Sequence, residues 1–428
     1  MLDRFVGSAL AKNTVWMFLG QGLRLIIQAV YFTVIARSLG PHNYGAFIGV
    51  VALVAIAYPF GTMGSGSLLI KNVSRDRSLF PVYWGRALLT SLVCTSLLFA
   101  AVAVLSRFTL PPEIPPRLVF LVCGADLFGQ GLIIMCGQAF QAFERLNWTA
   151  ILSVLISISR LCSALVLVAI HRNPSALEWG YLYSFSTAIV LIAALTLVSF
   201  KLGMPIFNWR RPGAELREGF YFSVSFSAQT IYNDIDKTML TRLGTLDAAG
   251  IYGAAYRLID VTFAPVWCLM AAAYPNFFRM GAQGINTTLG YAKLLLKRAL
   301  MYAGLAAAGV LLFAGIVPHV LGPEYARTVE AMRWLALLPI LKTLHYFLSD
   351  ALTGAGYQAV RTSIQAGVAV FNVAINFWLI PAYSWRGAAW ASIASDTLLV
   401  SAIGAAAFVL LRRSQKIVML ATGEAAFD

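Results

Sequence analysis

The sequence predicts an all-α integral membrane protein, with about twelve transmembrane helices in two pseudo-symmetric six-helix bundles around a central cavity. Three observations predict it. Of 428 residues, 59% are hydrophobic and 12% charged, about half the charged share of a soluble domain, and the mean hydropathy is +0.76. Apolar runs such as ALLTSLVCTSLLFAAVAVL (87–105) and ALMYAGLAAAGVLLFAGIV (299–317) reach the length needed to cross a bilayer. The turn SLGPHNYGAF (38–47) is repeated in kind at RLGTLDAAGIYGAAY (242–256).

Residues 1–13 alternate apolar and polar at helical spacing, which suits a short helix on the membrane surface. Spans follow near 14–36, 46–70, 82–106, 117–140, 148–170, 180–200, 219–242, 250–278, 291–317, 327–352, 363–381 and 387–411. The first contains Gln21, Arg24 and Gln28, unlike the plain apolar core of a cleaved leader. PFGTMGSGS (59–67) predicts a break in the second span, and Pro265, Pro275 and Pro339 mark bends in later ones. The longest connection, around 201–218, separates a lobe of residues 1–200 from a lobe of residues 219–428 with a short tail. Two six-helix halves in the same orientation are a recurrent transporter plan, with the polar path between them near the midplane.

The net charge of +14 is a membrane signal and not a nucleic-acid one. With both termini cytoplasmic, the inside segments carry roughly twice as many Lys and Arg as the outside ones, and the excess meets anionic lipid. Cys94, Cys123, Cys136, Cys162 and Cys268 fall inside spans without CxxC spacing and read as small core residues. No motif for a metal or an organic cofactor is present.

A charge near the bilayer centre costs on the order of 2.5–3.5 kcal/mol, so it faces a cavity or a partner. Gln21, Arg24 and Gln28 share one face of the first span; Ser153, Ser157 and Arg160 share one on the fifth. The tenth carries Lys342, His345 and Ser349, and the eleventh Arg361, Gln365, Asn372 and Asn376. For Arg24 the choice is between lining a cavity and pairing with a distant acid such as Asp126. His345 reads as a packed polar residue, with proton carriage as the rival. Between the seventh and eighth spans, Lys237 and Arg257 lie roughly 9–10 Å below the shared turn, with Asp234 and Asp260 a turn deeper. Those four with Asp236 form a candidate gating or ion-coupling cluster; the alternative is a neutralised staple.

Three stretches resemble the polysaccharide-unit flippases of the multidrug/oligosaccharidyl-lipid/polysaccharide exporter superfamily. They are ARSLGPHNYGAF, DKTMLTRLGTLDAAGIYGAAYRL and NVAINFWLIPAYSWRGAAWAS, the last carrying an Asn372/Asn376/Pro381/Gly387 pattern. The resemblance implies a bacterial inner-membrane flippase, not an enzyme. It would move undecaprenyl-pyrophosphate-linked sugars from the cytoplasmic to the periplasmic leaflet by alternating access. The implied partners are that sugar-lipid, membrane lipids, a proton or sodium counter-ion and the polysaccharide polymerase machinery, with no nucleic acid. Gln21, Arg24, Gln28, Arg160, Arg257, Lys342, Asn372 and Asn376 are the candidate substrate-cavity residues. The rivals are a cation-coupled multidrug exporter of the same superfamily, the lipid II flippase branch, and a membrane-embedded polysaccharide polymerase or ligase. The last needs a larger outside loop with clustered charges.

Overall fold

The computed structural model describes the backbone of residues 2–74, 76–207 and 213–424. Side chains are described for 22–74, 76–207, 220, 223–224, 227, 230–270, 273–274 and 276–414. Among the described residues there is no strand, and helices account for nearly all of the chain.

The first long helix, α1 (Leu2–Thr62), contains a single non-helical residue, Gly40, at φ 67° and ψ 170°. That conformation favours glycine, and it turns one helical track into two passes. After a left-handed pair at Met63 and Gly64, α2 (Ser65–Val73) completes the second pass. Then come α3 (Phe80–Thr109) and a composite pass of α4 (Pro116–Cys123), a π-helical turn (Gly124–Gln130) and α5 (Gly131–Ala142). They are followed by α6 (Leu146–Ile170), α7 (Ala176–Leu202), α8 (Gly213–Leu243) and α9 (Leu246–Gly281). Next is α10 (Ile285–Phe313), extended by α11 (Val317–Leu321), and then α12 (Thr328–Leu335) with α13 (Leu338–Gly354). α14 (Gln358–Tyr383) and α15 (Trp385–Glu424) close the chain. Nine stretches of the described chain are long and apolar enough to cross a membrane, and the first, Gly22–Val73, holds two passes. With α8 and α9 the passes number about twelve, as the apolar runs predict. Pro339 opens α13 after a break, whereas α9 runs through Pro265 without one.

The chain forms two compact units, Met1–Gly250 and Ile251–Asp428. α8 belongs with the first because it packs along the second half of α1, so the division by contact falls at Gly250 and not in the 201–218 connection. Hydroxyls of α8 run up this seam: Thr238 donates to the Gly49 carbonyl at 3.2 Å, Ser227 to Ile56 at 2.9 Å and Ser223 to Pro59 at 2.8 Å. In a bilayer, helix association relies on such hydrogen bonds and on close packing through small residues. The end of α1 leaves carbonyls without helical partners. Ser223 satisfies Pro59, and the Thr95 hydroxyl on α3 reaches Gly61 at 3.3 Å.

At the other end of the seam the two similar turns meet. A β-carbon on Gly45 would overlap the Leu246 carbonyl and the Gly250 amide, and one on Gly250 would overlap the Pro41 carbonyl. His42 and Asp247 flank the contact 3.5 Å apart. Elsewhere in this unit Trp84, Phe80, Phe140 and Met135 anchor the apolar core. In the second unit Phe263, Phe277 and Phe347 do so, and Gly281 and Gly354 bring the ends of α9 and α13 together backbone to backbone.

A further repeat appears in the helix ends. α5 ends with Glu144 at φ 60° and a bond from the Arg145 amide to the Phe140 carbonyl at 3.0 Å. α13 ends with Gly356 at φ 87° and the same bond from Tyr357 to Leu352 at 2.8 Å. Both are Schellman caps, in which an αL residue lets the following amide satisfy a late carbonyl.

Candidate functional site

In the first unit, the π-helical turn carries Asp126 and Gln130. A π turn widens the helix by one residue and is frequent at functional sites. Arg160, on α6, donates from one Nη2 to Gln130 Oε1 at 2.8 Å and to Asp126 Oδ1 at 3.3 Å. The Tyr183 hydroxyl on α7 donates to the same carboxylate oxygen at 2.7 Å. The guanidinium lies 3.9 Å from the Tyr183 ring centroid, a cation–π geometry. Tyr31, Phe47 and Trp179 complete the aromatic surround. Both charged side chains are nearly buried, so the pair neutralises itself inside the bundle. Arg160 Nε and Trp179 Nε1 are buried donors without a hydrogen-bond acceptor. Ser157 bonds back to the Ser153 carbonyl on its own helix.

Arg24 and Gln28 sit half-buried on α1; Gln21 lies outside the residues whose side chains are described. On α8, Asp234 and Lys237 form the in-helix ion pair read from their spacing, and the Lys237 ammonium also donates to the Asn233 carbonyl at 3.3 Å. Asp236 is fully buried, its carboxylate accepting from the Lys237 amide at 2.8 Å.

In the second unit, Asp260 on α9 is engaged by Lys342 of α13 at 3.3 Å, and the ammonium lies 4.5 Å from the Tyr256 ring centroid. The lysine is buried, while the Asp260 side chain is 41% exposed. Arg257, one turn earlier, is half-buried. Arg361 reaches Asp350 at 3.4 Å and the Thr353 hydroxyl at 3.0 Å. Asn372 donates to Ser395 at 2.9 Å, and Asn376 donates to the Asn372 carbonyl and side-chain oxygens at 2.8 and 3.0 Å. Tyr252 and Ser392 share a hydrogen bond of 2.9 Å. His345 Nε2 and Asp396 Oδ1 approach to 3.2 Å, at ion-pair distance but out of hydrogen-bond alignment.

Asp396 and Asp350 were not singled out by the sequence reading. Asp396 carries a signal all the same: Ser392, Ser395 and Asp396 recur at helical spacing within an apolar run. Among the described residues no group of three metal-ligating side chains comes together.

The family profile described as "Polysaccharide biosynthesis protein" matches residues 10–281. A protein of Escherichia coli (strain K12) named as an O-antigen transporter is 23% identical over 92% of this chain and 95% of its own. A Haloferax volcanii protein named as a low-salt glycan biosynthesis flippase is 21% identical over 91% of this chain and 82% of its own. The fold is shared with an inward-facing multidrug resistance MATE family transporter of the MOP superfamily. That match has a TM-score of 0.74 and 15% identity, covering 91% of this chain and 96% of that one. It is also shared with the lipid II flippase MurJ in an inward closed conformation, with a TM-score of 0.69 and 12% identity, covering 92% and 86%. These relatives bear transporter or flippase names, and none of them is named as an enzyme.

Proposed function

The chain belongs to the polysaccharide biosynthesis protein family, and we propose that it flips lipid-linked oligosaccharide, specifically undecaprenyl-pyrophosphate-linked units, from the cytoplasmic to the periplasmic leaflet of a bacterial inner membrane. It is a multi-pass membrane transporter, with both termini proposed to be cytoplasmic and lobes of residues 1–200 and 219–428 joined by the 201–218 connection.

One observation beyond the family carries this reading: charged side chains in the middle of helical passes are left partly open. Asp260 is 41% and Asp234 33% exposed, and Arg24 and Arg257 are half-buried. A charge at that depth cannot face hydrocarbon, so it borders water or cargo. A hydrated path of that kind is what a pyrophosphate and its sugars need, while the prenyl tail stays in lipid. Arginine suits pyrophosphate oxygens bidentately and Gln28 suits sugar hydroxyls, while Asn372 and Asn376, fully buried in this structure, reach cargo only once the surrounding helices part. Arg160 and Lys342 act in this scheme as cations held by Asp126 and Asp260 until cargo competes for them. The α1–α8 seam, with its broken helix at Met63–Gly64, is the element proposed to open and close. An inside-negative potential of 100 mV favours outward movement of each negative charge by about 2.3 kcal/mol.

The test is leaflet exposure of a prenyl-pyrophosphate oligosaccharide in proteoliposomes, read with a non-permeant sugar probe. Protein-dependent exposure, accelerated by an imposed potential and reduced by Arg24→Ala, supports the reading. Folded protein that flips no sugar-lipid but expels an organic cation against a proton gradient replaces it with the drug-exporter reading.

A further inference from the structure

Helices α13, α14 and α15 of the second unit enclose a column of buried polar side chains. Counted at about 1.5 Å per residue from the α13–α14 turn, Ser349 and Gln365 form its first level, and His345 with Asp396 the next. Asn372 and Ser395 lie beside that pair, joined by their hydrogen bond. Beyond them come Asn376, then Ser392 with Tyr252, toward the α14–α15 turn. Ser349, Gln365, Asn376 and Asp396 are each at least nine-tenths buried. Yet Ser349 Oγ, Gln365 Nε2, Asn376 Oδ1 and Asp396 Oδ1 lack a hydrogen-bond partner. Four such atoms on three adjacent helices are unusual, since buried polar groups are nearly always paired. A site with several unmet donors and acceptors is where internal water lodges.

We propose that His345 and Asp396 form a proton-binding site, served by water lodged along this buried column. A proton taken from that water lodges between His345 Nε2 and Asp396 Oδ1 and is later returned to water. No bond other than to the proton forms or breaks. The proton is favoured over a metal cation by the donor set, which pairs an imidazole with a single carboxylate.

The surrounding charges leave this pair as the titrating centre. On α13, Lys342 is taken by Asp260, and Asp350 by Arg361 of α14. Tyr346 lies tilted against His345 with ring centroids 4.3 Å apart. Lys293, Lys297 and Arg298 on α10 are exposed, and Glu330 of α12 is bound to Arg386 of α15 at the protein surface. The purpose of the site rests on the transport reading; its chemistry does not.

The chain has four histidines: His42, His171, His319 and His345. The full chain, with 13C-labelled histidine, is placed in lipid nanodiscs and titrated by NMR. The resonance lost in His345→Gln is expected to respond to pH, and that response to move in Asp396→Asn. A His345 resonance that does not titrate, or that is indifferent to Asp396→Asn, overturns the proposal. In proteoliposomes, the ratio of sugar-lipid flipping with and without a pH gradient is expected to fall toward one in both variants. An unchanged ratio also overturns it. If the wild type flips nothing, the transport reading fails, and the titration still decides the proton site.

Discussion

The polar interiors of the two units differ although their scaffolds correspond. Phe140 and Leu352, and Arg145 and Tyr357, hold the same places in the two caps. Counted back and forward from there, Gln130 matches Lys342, and Arg160 matches Asn372. The first unit fills its slot with a closed charge pair, Arg160 and Asp126, both nearly buried and locked by Gln130 and Tyr183. The second fills it with neutral amides, puts its lysine where the first has a glutamine, and lets that lysine's acid stay partly open. One repeat holds a closed ionic node and the other a buried column of neutral and weakly paired polar side chains. Helix placement is thus shared, while the charge state is set by a few side chains per unit.

The comparison breaks most visibly at Arg160. Arg160→Ala leaves Asp126 buried without its counter-ion, which should cost about 3–5 kcal/mol, read as lost thermal stability in detergent. Adding Asp126→Ala should recover most of that loss; if it recovers nothing, the pair is not a unit. Next is Gly45→Val, which forces side-chain atoms into the Leu246 carbonyl and should cost about 1–3 kcal/mol by overpacking. Lys342→Gln transplants the first unit's residue into the second. Because Asp260 can hydrate, unfolding measurements should show a loss of only about 1 kcal/mol; a loss as large as that of Arg160→Ala would erase the distinction. Glu144→Gly copies the second unit's cap into the first. It relieves a side chain at φ 60° and should stabilise by about 0.5 kcal/mol, the αL strain being partly offset by glycine's greater freedom when unfolded.

The smallest effect lies outside the membrane. Asp76 is held below the usual carboxylate range by the Ser78 hydroxyl and then by the Ser78 amide. A lowered folded-state pKa contributes stability above the ordinary carboxylate value near pH 3.9. That contribution is lost as pH falls through the lowered one. Ser78→Ala should flatten this part of the acid limb of a stability-versus-pH curve.

Much of the fold was legible because the bilayer imposes long apolar runs, so each predicted span finds its helical pass. The in-helix pair of Asp234 and Lys237 was legible too, since i,i+3 spacing brings two side chains within reach. For Arg257 and Asp260 at the same spacing, however, the acid forms its ion pair with Lys342. The partners of Arg160 and Lys342 were not, because contacts between helices depend on rotation and packing that no local period encodes. Asp260 could be placed at a depth but not matched to Lys342, which stands on a helix far along the chain. Asp396 was not legible for a different reason: it has no charged neighbour at helical spacing in α15.

The joints between passes are very short: Gly40 within α1, Gly244 and Thr245 between α8 and α9, and Ser384 between α14 and α15. Such joints leave no loop for a protease, an antibody or an inserted tag to engage. They also bear on biogenesis. α8 carries three charged side chains, Asp234, Asp236 and Lys237, within four residues of its pass. A segment so charged gains little by leaving the translocon for lipid alone. Tied to α9 by two residues, it enters as half of a helical hairpin, its Asp234 and Lys237 already neutralised against each other.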